Sequence, residues 1–130
     1  MRTELGTIPR CWLPVVALCV AIFVQSCFSS PDWGPSFHLK DKLLHLAVYG
    51  LMAGLFYRAC GSTWSGRMPP AIILAASVLF ASLYGASDEF HQSFVAARQA
   101  DMGDWIADIV GGILGAGIAM VVHMRRRVGG

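Results

Sequence analysis

Long apolar runs broken by short polar clusters, with no strict alternation of the kind a half-buried strand shows, set the pattern of this chain. Four runs stand out, from Cys11 to Phe28, Leu43 to Arg58, Pro69 to Ala86 and Trp105 to His123. A bilayer core is crossed by about 20 residues of helix, with about 17–25 tolerated. The first, third and fourth runs reach that length directly. The second reaches it once Asp41 and Lys42 are placed at the headgroups. Backbone polar groups left open in hydrocarbon are too costly to persist, so each run is predicted to be helical. The expected helices are residues 11–28, 41–58, 69–92 and 104–123.

Local sequence marks the same ends. Asp41 is placed to cap the second helix. Pro69-Pro70 suits the first turn of the third, where proline forfeits no hydrogen bond. Gly103-Asp104 opens the fourth with an acid at the positive end of its dipole. Pro31, Gly34 and Pro35 interrupt the first connection, and Gly61, Ser62, Ser65 and Gly66 the second. The expectation is an all-α, polytopic membrane protein, one domain over residues 1–130, with no internal repeat.

Composition strengthens that reading. Of 130 residues 55% are hydrophobic and only 14% charged, with mean hydropathy +0.57. A soluble domain carries about 25% charged residues. The net charge of +2 matters less than its placement. Arg2, Arg10, Arg58, Arg67, Arg125, Arg126 and Arg127 fall at one set of helix ends; Lys40, Lys42 and Arg98 fall at the other. Seven against three places both termini in the cytoplasm of a multi-pass inner-membrane protein. The terminal arginine triplet reads as a membrane-flanking anchor, and nucleic acid is not an expected partner. Arg2 and Arg10 before an apolar run resemble a signal peptide, and Val24-Gln25-Ser26-Cys27 loosely resembles a lipoprotein cleavage box; retention as a helix is the favoured reading. Cys11, Cys19, Cys27 and Cys60 lack metal-binding spacing and are read as packing residues or reduced thiols, with no chemistry assigned.

Against this apolar background the polar residues are the candidates for chemistry, since an acid within a span costs about 2.5–3.5 kcal/mol on insertion scales. Helical spacing groups them. Lys42, His45 and Tyr49 share one face of the second helix. Tyr84, Asp88 and Gln92 step by four along the third, with His91 beside them and Glu89 turned about 100° away. Asp104, Asp108, Gly111 and Gly115 share a face of the fourth, where Gly111-x-x-x-Gly115 invites close helix packing. With Arg98, these seams are expected to meet in one extracytoplasmic ligand pocket. Each has a plainer reading. Lys42 snorkels to the headgroups; Tyr49, Tyr84 and Trp105 are interfacial aromatics; His45 is a satisfied bundle histidine; His38, His123 and Asp32 are boundary or loop residues.

Asp88, Glu89, His91, Asp104 and Asp108 form a donor set for a divalent cation, but no HExxH-type spacing is present. No metal site is assigned and no cofactor is expected. No GxSxG nucleophile occurs. Arg98 and Lys42 suit a phosphate or carboxylate.

The motifs Ser29-Ser30-Pro31, Asp41-Lys42-x-x-His45-x-x-x-Tyr49 and Tyr84-x-x-x-Asp88-Glu89-x-His91-Gln92-x-Phe94, followed by Arg98, Asp101, Asp104 and a glycine-rich last helix, resemble the VanZ-like family of small bacterial membrane proteins. Its namesake is linked to low-level teicoplanin resistance. The resemblance implies a cell-envelope role. It places family motif positions on Lys42, His45, Tyr49, Asp88, Glu89, Gln92, Arg98 and Asp104. One departure is Asp108, where the family usually has Asn. Three functions follow as expectations. The first is binding or modulation of a lipid-linked or glycopeptide-related envelope ligand, with membrane lipids, a lipid-linked precursor or a glycolipid as partner. The others are a transferase or hydrolase acting on a lipid-linked substrate, and a structural partner subunit.

Overall fold

The computed structural model describes residues 4–28, 39–96 and 98–130, with side chains from residue 9 onward. Ser29-Ser30-Pro31, Asp32, Gly34, Pro35, His38 and Arg2 lie outside the described residues. The described chain forms four helices: α1 (Glu4–Ser26), α2 (Lys40–Thr63), α3 (Pro70–Gln92) and α4 (Met102–Val128). All four are long and apolar enough to cross a membrane.

The helices run alternately up and down. Trp12 Nε1 donates to Thr63 Oγ1 at 2.8 Å, which ties the start of α1 to the end of α2. Lys42 reaches Asp101 and Asp104, which ties the start of α2 to the start of α4. Arg127 reaches Ser65 just beyond the end of α2. One end of the bundle therefore gathers Arg58, Arg67 and Arg125–Arg127, and the other gathers the acids.

Helix ends depart from expectation for identifiable reasons. α2 continues to Thr63, five residues beyond the expected stop at 58, through Gly61 and Ser62. Tyr57, Ala59, Cys60 and Gly61 are all buried there, so packing outweighs the cost of a glycine in the helix. α1 begins at Glu4 and carries Pro9 and Pro14 within it; such interruptions are tolerated in lipid-facing helices. Asp41 sits in the first turn of α2 but makes no cap, the N-cap being Leu39. α3 starts as expected, with Pro70 in its first turn. α4 begins two residues early because Asp101 caps it, its side chain accepting from Gly103 N at 2.7 Å.

Burial is inverted relative to a soluble bundle. Leu13, Val20, Phe23, Leu51, Leu79, Leu83 and Ile118 are exposed outward, whereas Ser26, Ser77, Asp88, Glu89, Gln92 and Asp108 are buried. Lipid is the solvent that favours such a distribution.

The most extensive helix pair is the parallel pair α2–α4. Gly111 and Gly115, expected as packing residues, do pack closely: a Cβ on Gly111 would strike the Leu46 carbonyl, and one on Gly115 the Gly50 carbonyl. The partner seam is a second small-residue repeat, Gly50-x-x-x-Gly54. A Cβ on Gly50 would lie 3.0 Å from Gly111 O, and one on Gly54 3.3 Å from Gly115 O. Close backbone approach here brings Lys42 and His45 against Asp104 and Asp108.

Candidate functional site

Four helices and one capping loop converge at the acidic end of the bundle. Asp88 is its hub. Only 6% exposed, its carboxylate accepts from Ser26 Oγ of α1, from Tyr49 Oη of α2 at 3.1 Å, and from Gln92 Nε2 of its own helix at 3.0 Å. Gln92 also donates to Ser26 Oγ at 3.3 Å. Three donors around one carboxyl satisfy its oxygens, which makes burial tolerable.

A second cluster lies between α2 and α4. His45 Nδ1 and Asp108 Oδ1 are 2.9 Å apart, and His45 Nε2 is 3.8 Å from Asp104 Oδ2. The His45 ring stacks parallel to Tyr49, with centroids 5.9 Å apart, so the two clusters share a wall. Above them Lys42 Nζ bonds Asp101 Oδ2 at 2.7 Å and Asp104 Oδ1 at 3.2 Å. Asp101 lies outside the spans, and the Lys42 ammonium, helped by the Gly103 N–H, holds its carboxyl below the usual carboxylate range.

Glu89 behaves differently from its expected position off the seam. Its turn away from Asp88 aims it at α4: Oε2 accepts from Asp101 N at 2.9 Å, pinning the loop that enters α4. One donor atom from each of His45, Glu89 and Asp108 falls within 4.8 Å of the others.

A cavity of about 740 Å³ opens beside Asp88. Its polar wall contains His45, Tyr49, Asp88, Gln92, Arg98 and Asp104; its apolar wall contains Leu18, Ile22, Leu44 and Val48. Six of the eleven expected pocket residues thus line it directly. Lys42 and Asp108 hold the lining residues Asp104 and His45 from behind, and Glu89 holds the Asp101 loop. Tyr84 and His91 do not face the cavity. Tyr84 Oη donates to the Cys19 carbonyl at 2.6 Å, and the His91 ring stacks on Phe23 at 5.0 Å, so both fasten α3 to α1. A second groove, about 720 Å³, runs along the glycine seam of α2 and α4 to Arg58, His123 and Arg126.

The sequence pattern missed Ser26, Gln25 and Gln99, and it read Asp41 of the first polar cluster as a helix cap. Ser26 is fully buried against Asp88, and its only sequence signature is a polar residue in the last turn of an oily helix. Asp41 and Gln99 line the cavity mouth. All four cysteines are free thiols.

Fold and site together define a polytopic four-helix membrane protein with a buried polar network at one end. The chain belongs to the VanZ/LLP1 family, whose model matches residues 12–123. Nothing among curated proteins or solved structures matches it significantly.

Proposed function

We propose that this VanZ/LLP1 protein binds the headgroup of a lipid-linked envelope molecule, or a related glycopeptide ligand, in the cavity beside Asp88, on the extracytoplasmic side of the inner membrane. The observation that carries the reading is the two-faced lining. Arg98 and the Tyr49, Gln92 and Asp88 network supply charge and hydrogen bonds, while Leu18, Ile22, Leu44 and Val48 supply an apolar wall of the same cavity. A headgroup on an acyl or prenyl stem presents both characters at this depth, and it enters sideways from the bilayer. The Arg98 guanidinium matches a phosphate or carboxylate by paired N–H contacts. The excess of arginines at the opposite helix ends supports the outward-facing orientation.

The test is lipidomics on protein purified in mild detergent. Wild type should retain a defined lipid-linked anion, and Arg98→Ala and Asp88→Ala should lose it while inserting at wild-type levels. Equal lipid profiles from all three proteins would overturn the reading.

A further inference from the structure

Two buried oxygens in the cluster between α2, α3 and α4 have no hydrogen-bond partner among the described residues. Asp108 is fully buried; Oδ1 faces His45 Nδ1, but Oδ2 has no partner. Glu89 is 7% exposed; Oε2 takes the Asp101 N–H, but Oε1 has no partner. Leaving such an oxygen unsatisfied costs about 1–3 kcal/mol, more when it is charged. Asp108 Oδ2 is turned towards α3, in the space that a Cβ on Gly85 would take, one helical turn before Glu89. Both carboxylates thus lean into one small volume, and His45 closes it from α2.

We propose that His45, Glu89 and Asp108 form a binding site for one divalent transition-metal cation, set behind the polar wall of the cavity. The donor types fit: one imidazole and two carboxylates suit manganese, iron or zinc better than an all-oxygen magnesium site. The dimensions fit as well. Ligands of a first-row ion bind at about 2.0–2.2 Å, which places neighbouring ligand atoms about 3–3.5 Å apart. His45 Nδ1 and Asp108 Oδ1 already stand 2.9 Å apart, and one donor from each of the three residues lies within 4.8 Å of the others. The charge fits too. Two carboxylates and a neutral imidazole cancel a 2+ ion, so a low-dielectric interior holds a neutral unit in place of buried acids. Asp104 Oδ2 lies 3.8 Å from His45 Nε2, on the other edge of the ring.

The site has a purpose distinct from the headgroup reading: it fixes α2, α3 and α4 at one point. It does not depend on that reading, because the measurement is of the ion itself. Purified protein in nanodiscs, stripped with chelator, is titrated with Mn2+ while the electron paramagnetic resonance signal of the free ion is followed. One Mn2+ per chain is expected, with nitrogen modulation of the bound-ion signal from a single imidazole. Glu89→Gln and Asp108→Asn should each weaken binding about tenfold or more, while His123→Ala at the opposite end should leave it unchanged. No bound Mn2+ up to about 1 mM would overturn the site. Binding that lacks nitrogen modulation, or is unchanged in both carboxylate variants, would overturn it equally. The wild-type titration and its spectrum decide the matter even if a variant fails to fold. Failure here leaves lipid retention by the Arg98 wall untouched.

Discussion

Tyr49 of α2 donates a hydrogen bond to Asp88 of α3 across 3.1 Å, deep in the bundle and 39 residues away in sequence. Both groups are buried, so neither finds water if the other is removed. Tyr49→Phe deletes one of three donors to the carboxylate and should destabilise the protein by about 1 kcal/mol. Asp88→Ala strands Ser26, Tyr49 and Gln92 together and should cost about 1–3 kcal/mol. Thermal unfolding in detergent, followed by loss of the monodisperse species, measures both. Unchanged midpoints would show that the network contributes nothing to stability.

The glycine seam makes a sharper prediction, because its partners are backbone atoms that cannot step aside. Gly115→Ala drives a methyl into the Gly50 carbonyl, and Gly111→Ala drives one into Leu46. Separating α2 from α4 to relieve either clash should cost about 1–3 kcal/mol. Gly117→Ala, with nothing among the described residues within 4 Å of the new methyl, serves as the control. The ordering of the three unfolding midpoints is the readout; equal losses would refute the close approach.

These two relationships were not equally legible in the sequence. Four helices follow from run length alone, because a bilayer imposes both length and helicity. Gly111 and Gly115 are legible as a packing repeat, whereas Gly50 and Gly54 lie in an apolar run and take their meaning only from the backbone that faces them. Lys42, His45 and Tyr49 were readable from helical spacing. Glu89 was not: its angle from Asp88 took it off one seam, and only the position of α4 shows that it lies on another. Helix ends were the least legible feature, since the extension of α2 to Thr63 depends on burial of Tyr57, Cys60 and Gly61 against other helices. Tyr84 and His91 share the seam spacing of Asp88, yet the placement of α1 turns them into fastenings to Cys19 and Phe23.

Acid should open the outer rim. Asp101 is held below its usual range chiefly by Lys42. A carboxyl whose folded pKa is depressed stabilises the folded state fully above its unfolded value of about 3.9 and loses that contribution as pH falls through the folded value. Hydrogen exchange of residues 98–104 should therefore be flat from neutral pH to about pH 5, once intrinsic rates are removed, and rise only below about pH 4. In Asp101→Asn that pH-dependent rise should be absent and protection low throughout. A rise centred near pH 6 would mean that a histidine, not Asp101, governs the rim.

Glu89 holds the same loop from beneath, through the Asp101 N–H. Glu89→Gln keeps an oxygen acceptor at that length, whereas Glu89→Ala leaves the amide without one. Exchange at Asp101 should be close to wild type in the first and faster by about tenfold in the second, the equivalent of about 1.4 kcal/mol. Equal exchange in both would mean that the Asp101 cap on Gly103, and not Glu89, fixes the loop.

The chain carries its own reporter of orientation. Cys27 is an exposed thiol just past the end of α1, at the acidic end of the bundle, while Cys11 and Cys60 are buried and Cys19 is half-buried. The arginine-rich ends are expected on the cytoplasmic side, because Lys and Arg in short flanking segments are retained there. Cys27 should therefore react with a membrane-impermeant maleimide in intact spheroplasts, and Cys27→Ser should abolish the labelling. Arg67→Cys introduced into the Cys27→Ser background moves the reporter to the opposite end and should label only after lysis. A native thiol that reacts only in lysed cells would place the cavity towards the cytoplasm, where an outer-leaflet headgroup does not reach it.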